Sequence, residues 1–235
     1  MCQSALRDEW REVEPVTVWW AFRSSATPAL LSLLNPTERA RHARYLREED
    51  RARFLMGVVT TRLALAEMLG MAPEHVPLTR ACPDCDEPHG PPRLPDGPHL
   101  SVSHSGDLVA VAISPHGPLG VDVEQSTRRL GLDVTPHVLS EDEHAPTAQA
   151  LLTYWVRKEA LLKATGDGLR VPMTDLHVSP PDAPPRLLTW KKRPDLPSRF
   201  ILRTLTPNDT HPAALALLDH PGTAPLRERP TTDLL

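Results

Sequence analysis

Two short runs hold the residues best suited to chemistry. One is Gly120-Val121-Asp122-Val123-Glu124, and the other runs from Trp155 through Glu159 and Lys163 to Leu169. In an extended strand, residues two apart share a face, so Asp122 and Glu124 point together while Val121 and Val123 point to the core. Two like charges side by side are costly unless a cation lies between them, and the run offers no Lys or Arg to neutralise the pair. In a helix, Trp155, Glu159 and Lys163 fall at successive i+4 steps on one stripe. Three carboxylates and an ammonium on facing elements suit a hard divalent cation beside a phosphate. The plainer readings are a solvated strand face and a surface Glu–Lys pair worth only ~0.3–0.5 kcal/mol. Ser103 and His104 end the preceding strand and could meet the same phosphate.

The elements that must position these groups are legible in part. Val16 to Phe22 is β-branched and aromatic and predicts a strand. Asn35-Pro36-Thr37-Glu38 predicts a capped helix start, with a short helix to about Leu46. Glu48-Glu49-Asp50 then opens a second helix that stops at Gly70. Residues 71–98 are dense in Pro, Gly, Asp and Cys and predict a long loop. Leu100 to Ser114 predicts a hairpin turning at Ser105-Gly106-Asp107. A further turn at Pro115 to Pro118 leads into Leu119 to Glu124, which extends the hairpin to a three-strand antiparallel meander. A helix over about 148–165 and strands over 186–190, 199–202 and 213–218 complete the pattern. Each half offers a helix and antiparallel strands. The expected class is α+β in two subdomains, residues 1–115 and 116–220, with the acidic site in the second and a disordered tail over 221–235.

Bulk properties narrow the function. The chain has 235 residues, a net charge of -4, 27 Pro and 3 Cys. That length holds a sizeable core. The slightly acidic balance gives no sign of nucleic-acid binding. The longest apolar stretch, 54–69, is broken by Arg62 and Glu67, so no membrane span is expected. The first ten residues carry Arg7, Asp8 and Glu9 and no apolar core of a signal peptide. The cytoplasm and a monomer are the default expectations.

Three motifs then add a resemblance. His-Leu-Ser-Val-Ser-His-Ser-Gly at 99–106, Gly-Val-Asp-Val-Glu at 120–124 and Trp-x-x-Lys-Glu-Ala-x-x-Lys-x-x-Gly-x-Gly-Leu at 155–169 resemble the signatures of the phosphopantetheinyl transferases. Their order and spacing are similar to the long single-chain Sfp-type class. The resemblance implies two pseudo-twofold-related α+β halves, each with a helix on a small antiparallel sheet, and coenzyme A in the cleft between them. It implies Mg²⁺, with Mn²⁺ as an alternative, on Asp122, Glu124 and Glu159. Lys163 would contact the phosphate, and Glu159 and Lys163 would be catalytic. Coenzyme A would meet Arg53, Arg41, Ser103, His104, Asp122 and Lys163, with Arg53 at the 3′-phosphate. The implied partners are apo carrier proteins of fatty-acid, polyketide or nonribosomal peptide synthases. Where relatives carry Gly-Lys-Pro, this chain has Gly90-Pro91-Pro92, so that basic contact is lost unless Arg93 replaces it.

Two other readings stand beside this one. A protein of the same fold could bind coenzyme A or carrier proteins without catalysis, although a silent copy has no physical need for clustered carboxylates. Cys82, Cys85 and His89 could begin a zinc site, but a closed site needs a fourth ligand and there is no second Cys-x-x-Cys.

Overall fold

The computed structural model describes residues 15–82, 85, 87, 90–127, 134–222 and 224–235. Its strands are β1 (Val16–Phe22), β2 (His99–Ser105), β3 (Leu108–Ser114), β4 (Leu119–Val123), β5 (Leu176–Val178), β6 (Leu187–Trp190), β7 (Phe200–Leu205), β8 (Ala213–Leu218) and β9 (Leu226–Pro230). Its helices are α1 (Pro36–Arg44), α2 (Glu48–Leu69), α3 (Thr135–Val138) and α4 (Ala148–Thr165). The fold is α+β with small, mainly antiparallel sheets.

One sheet has the order β2-β3-β1-β9, a second β4-β8-β7, and a ribbon pairs β5 with β6. Alternation along the strands sorts side chains between layers. Val16, Val18, Leu108, Ala110 and Ala112 of the first sheet share a core with Leu119, Val121, Val123, Leu215 and Leu217 of the second. The opposite face of the first sheet, with Trp19, Val109, Val111 and Ile113, joins Met56 and Leu65 of α2. The outer face of the second, with Ala214 and Ala216, joins Val156, Ala160 and Leu161 of α4. The two sheets therefore lie face to face, with one long helix outside each.

The capping signals act as expected. The Asn35 side chain accepts from the Glu38 N–H and the Glu38 carboxylate accepts from the Asn35 N–H, so two otherwise orphaned donors are satisfied. Gly70 ends α2 at φ 62°, and Gly166 ends α4 at φ 75°.

Two expectations are corrected. The meander does not form, because β4 leaves the hairpin and becomes an edge of the second sheet, bonded to β8. The tail is not disordered: β9 pairs in parallel with β1, and the Trp20 indole N–H donates to Glu228 at 2.9 Å.

Candidate active site

Although β4 shares no backbone ladder with β2, the two edges are stitched by side chains. The hydroxyls of Ser101, Ser103 and Ser105 accept from the backbone N–H groups of Val121, Val123 and Gln125 at 3.0, 3.4 and 3.0 Å. Ser103 also donates to Asp122 Oδ1 at 2.7 Å, and Ser105 donates to Glu124 Oε2 at 2.6 Å. The Ser-x-Ser-x-Ser alternation of β2 is thus the device that brings the first motif to the second. A hydroxyl has one proton, and Ser103 gives it to Asp122. With that proton on Asp122, the Ser103 hydroxyl orients a carboxylate.

Gly120 brings the third motif in. A Cβ at this position would lie 1.9 Å from the Ala160 carbonyl oxygen and 2.6 Å from the Ala164 nitrogen. Only a glycine allows the α4 backbone to settle this closely on β4. That approach sets Lys163 against Asp122: Nζ donates to Oδ1 at 2.7 Å and to the Val121 carbonyl at 3.1 Å. An ammonium has three protons, so one more can be directed to a ligand.

Asp122 and Glu124 are both buried. Burial pushes the Asp122 carboxyl above its usual range, against the pull of Lys163 and Ser103. Its Oδ2 is buried with no hydrogen-bond partner among the described residues. A lone buried carboxylate oxygen is what a hard cation would satisfy, and the donor set is all oxygen. Glu159 is half-buried on α4, and among the described residues no three His, Cys, Asp or Glu side chains form a metal-holding group. Like charges do not gather by themselves, and here each acid on β4 is held by its own donor: Asp122 by Ser103 and Lys163, Glu124 by Ser105.

A cavity of about 720 Å³ opens beside this cluster, of the size that takes a cofactor-sized ligand. Arg41, Arg53, Arg80, His104 and Lys163 line it, as does Phe54. Ser103 and Asp122 do not. A second cavity of about 470 Å³ shares Arg93, Leu100 and Lys163 with the first, which places Lys163 at the junction. His104 is held below the usual imidazole range by loss of water and by repulsion from Arg53 and Lys163. The Arg53 guanidinium is already engaged: it donates to the Gly106 carbonyl and to Asp50 Oδ1, both at 2.5 Å. Arg41 lies over the Phe54 ring, 5.4 Å from its centroid.

The structure thus brings Asp122, Glu124, Lys163 and Ser103 into one cluster, and Arg41, Arg53, His104 and Lys163 into one cavity. Sequence reasoning missed Arg80, which also stands by Phe54, and whose only signal was a cation in a Pro- and Cys-rich loop. It also missed Glu143, which accepts from the Lys158 ammonium in the interior beneath the third motif. Of the zinc candidates, Cys82 is buried at the cavity wall and Cys85 is exposed, whereas His89 lies outside the described residues.

A family described as the 4′-phosphopantetheinyl transferase superfamily matches residues 118–216, the stretch that holds β4, α4 and β8. That match is a similarity to the superfamily over about two fifths of the chain. A provisionally named 4′-phosphopantetheinyl transferase of Synechocystis sp. is 30% identical over 60% of this chain and 61% of its own length. The 4′-phosphopantetheinyl transferase Sfp of Bacillus subtilis is 25% identical over 63% and 67%. The 4′-phosphopantetheinyl transferase HetI of Nostoc sp. is 29% identical over 80% of each chain. The match to the first of these spans less than two thirds of that relative. The relatives include Sfp of Bacillus subtilis, in keeping with the Sfp-type class that the order of the motifs resembles. Among the described residues no helix is long and apolar enough to cross a membrane.

Proposed function

We propose that this protein transfers the 4′-phosphopantetheine arm of coenzyme A to a serine hydroxyl of an apo carrier protein and releases 3′,5′-ADP. One observation carries the reading: Lys163 stands where a buried acidic pair meets a cation-lined cavity. Coenzyme A is a polyanion with a diphosphate at its centre, and it needs both an electropositive chamber and a place where the diphosphate charge is met.

The serine oxygen forms a bond to the β-phosphorus of coenzyme A while the bond from that phosphorus to the bridging oxygen breaks. Such transfer depends on positioning and charge neutralisation more than on covalent help. The free proton of Lys163 would meet the diphosphate from the junction of the two cavities. Glu159, one helical turn away, receives the serine proton directly or through a water. Arg41, Arg53 and His104 face the rest of the ligand. Mg²⁺ or Mn²⁺ held by Asp122, Glu124 and Glu159 would neutralise the diphosphate. The orphaned Asp122 Oδ2 supports that assignment, and Glu159 enters it through the family resemblance. The carrier is drawn from fatty-acid, polyketide or peptide assembly. The division into halves at residues 115 and 116 and a cytoplasmic monomer belong to the same proposal.

Incubation with coenzyme A, Mg²⁺ and a panel of apo carrier domains, read by intact mass, tests it. A pantetheine-arm mass gain on at least one carrier is expected, with loss of the gain in Glu159→Gln and on chelation. Near-normal turnover in Glu159→Gln would remove that residue from both its roles. Coenzyme A binding with no mass gain on any carrier would favour the silent binding module instead.

A further inference from the structure

Cations dominate the charged lining of the larger cavity, and among the described residues Asp167 is its one acidic lining side chain. A carboxylate in the wall of a chamber for a polyanion must be neutralised or it repels the ligand. Asp167 sits in the Gly166-Asp167-Gly168 turn that follows the Lys163 helix, and Gly166 lines both cavities. The backbone holds this turn loosely. Its glycines take φ 75° and 55°, and the Arg170 and Val171 N–H groups reach the Asp167 and Gly168 carbonyls only at 3.4 Å. Arg170 braces the turn from within, donating to the Gly166 carbonyl at 2.7 Å.

The tie to the neighbouring ribbon is Arg193, in the segment between β6 and β7. Its Nη1 donates to Asp167 Oδ2 at 2.5 Å and its Nη2 donates to Oδ1 at 3.0 Å. Such a forked pair fixes the direction of a carboxylate as well as meeting its charge. Arg193 lines neither cavity, so it meets Asp167 from outside the chamber. The guanidinium is itself aimed. It lies 5.3 Å from the Trp190 ring centroid, and the Arg193 N–H donates to the Trp190 carbonyl at 3.0 Å. Trp190 is buried and stacked on Phe200. Between Trp190 and Arg193 the chain passes through Lys192 at φ 66°, a left-handed conformation that costs a residue with a side chain. Burial pushes the Asp167 carboxyl up, but the Arg193 bonds outweigh it and hold the group below its usual range. Asp167 is therefore a full negative charge at neutral pH, and Arg193 is what balances it.

We infer that Arg193 is a positioning residue for ligand binding, acting through Asp167: its fork turns the carboxylate away from the chamber and screens it from the anionic ligand. The inference rests on the reading that the cavity takes coenzyme A.

Calorimetric titration with coenzyme A, with no carrier present, tests it. Arg193→Gln should bind coenzyme A ~5–10-fold more weakly than the wild type, because it frees a negative charge at the cavity wall. Adding Asp167→Asn to that variant should recover most of the loss, since the charge to be screened is gone. A merely structural tie gives no such recovery, because the forked pair is just as broken in the double variant. Arg193→Lys keeps the charge but not the fork and should lose only ~2–3-fold. Melting temperatures check folding; if Arg193→Gln does not fold, Arg193→Lys takes its place, with its smaller loss again recovered by Asp167→Asn. A folded Arg193→Gln within ~2-fold of the wild type, or a double variant as weak as the single one, overturns the inference and leaves the transferase reading intact. A wild type that does not bind coenzyme A overturns both.

Discussion

Gly120→Ala is the sharpest test of how the site is assembled. The added methyl would meet three parts of α4: the Ala160 oxygen at 1.9 Å, the Ala164 nitrogen at 2.6 Å and Lys163 Cβ at 2.8 Å. The first two are backbone atoms of a long helix and cannot turn aside as a side chain can. The helix must retreat by about 1 Å, and packed interiors resist such shifts at a cost of ~1–3 kcal/mol or more. At ~2–4 °C per kcal/mol for a chain of this size, the melting temperature should fall by about 2–12 °C. The retreat also stretches the 2.7 Å bond from Lys163 to Asp122, so coenzyme A should bind more weakly as well. Gly57→Ala is the matched comparison. Its methyl would find only Val102 and Val109 side chains, at 3.6 and 3.8 Å, which is ordinary contact. Inside α2 it should be neutral or stabilising by up to ~1 kcal/mol, since Ala is the better helix former. Scanning calorimetry of both variants decides the matter. If Gly120→Ala melts with the wild type, close approach of α4 is not what that glycine provides.

Other outcomes follow from the same geometry. Glu143→Gln should cost ~3–5 kcal/mol in urea unfolding, because it leaves the wholly buried Lys158 ammonium, also bonded to the Val138 and Met173 carbonyls, without its counter-charge. Pairing it with Lys158→Met should restore part of that loss, and a double variant no better than the single one would argue against the pair. Ser103→Ala should destabilise more than Ser101→Ala, by ~1.5–3 against ~1 kcal/mol, since only Ser103 also donates to a buried carboxylate; equal losses would show that the hydroxyls act only as backbone acceptors. Burial holds His104 and His220 below 6.5, so the folded state takes up protons less readily than the unfolded chain. Their contribution to stability is complete above pH 6.5 and is lost as pH falls through the lowered folded values, so melting temperature should drop on acidification. His104→Gln should flatten that drop, and an unchanged slope would remove His104 from it.

Much of the fold was legible where local chemistry and tertiary packing agree. The Asn35–Glu38 capping box, the Gly70 and Gly166 stops and the Gly106 turn all act within a few residues of themselves, and each is where its sequence puts it. The meander was not legible because its failure is a long-range event. Nothing near Pro115 to Pro118 says that the next strand will find β8, some ninety residues on, rather than β3. The serines of β2 carried the clue, since a strand that faces a neighbour through hydroxyls needs no backbone ladder to it. Strand β9 was hidden for another reason. Leu-Arg-Glu-Arg-Pro is polar and ends in Pro, which reads as a tail, yet an edge strand with one wet side tolerates that composition. At the site, the face shared by Asp122 and Glu124 and the Glu159–Lys163 stripe follow from period alone. What period could not show is that Lys163 would bond to Asp122. Arg80 was beyond reach because loop residues have no period from which to read a direction.

Strand β9 also sets a limit on trimming this protein. It covers the outer side of β1, the Arg229 guanidinium lies 4.2 Å from the Trp19 ring centroid, and the Thr60 and Thr231 hydroxyls meet at 3.2 Å inside. Cutting the chain ahead of Leu226 would bare a long apolar margin of Val16, Val18 and Trp20, unguarded by charge and open to any extended segment. The shortened protein should clump or exchange strands between copies at concentrations where the whole chain stays clear.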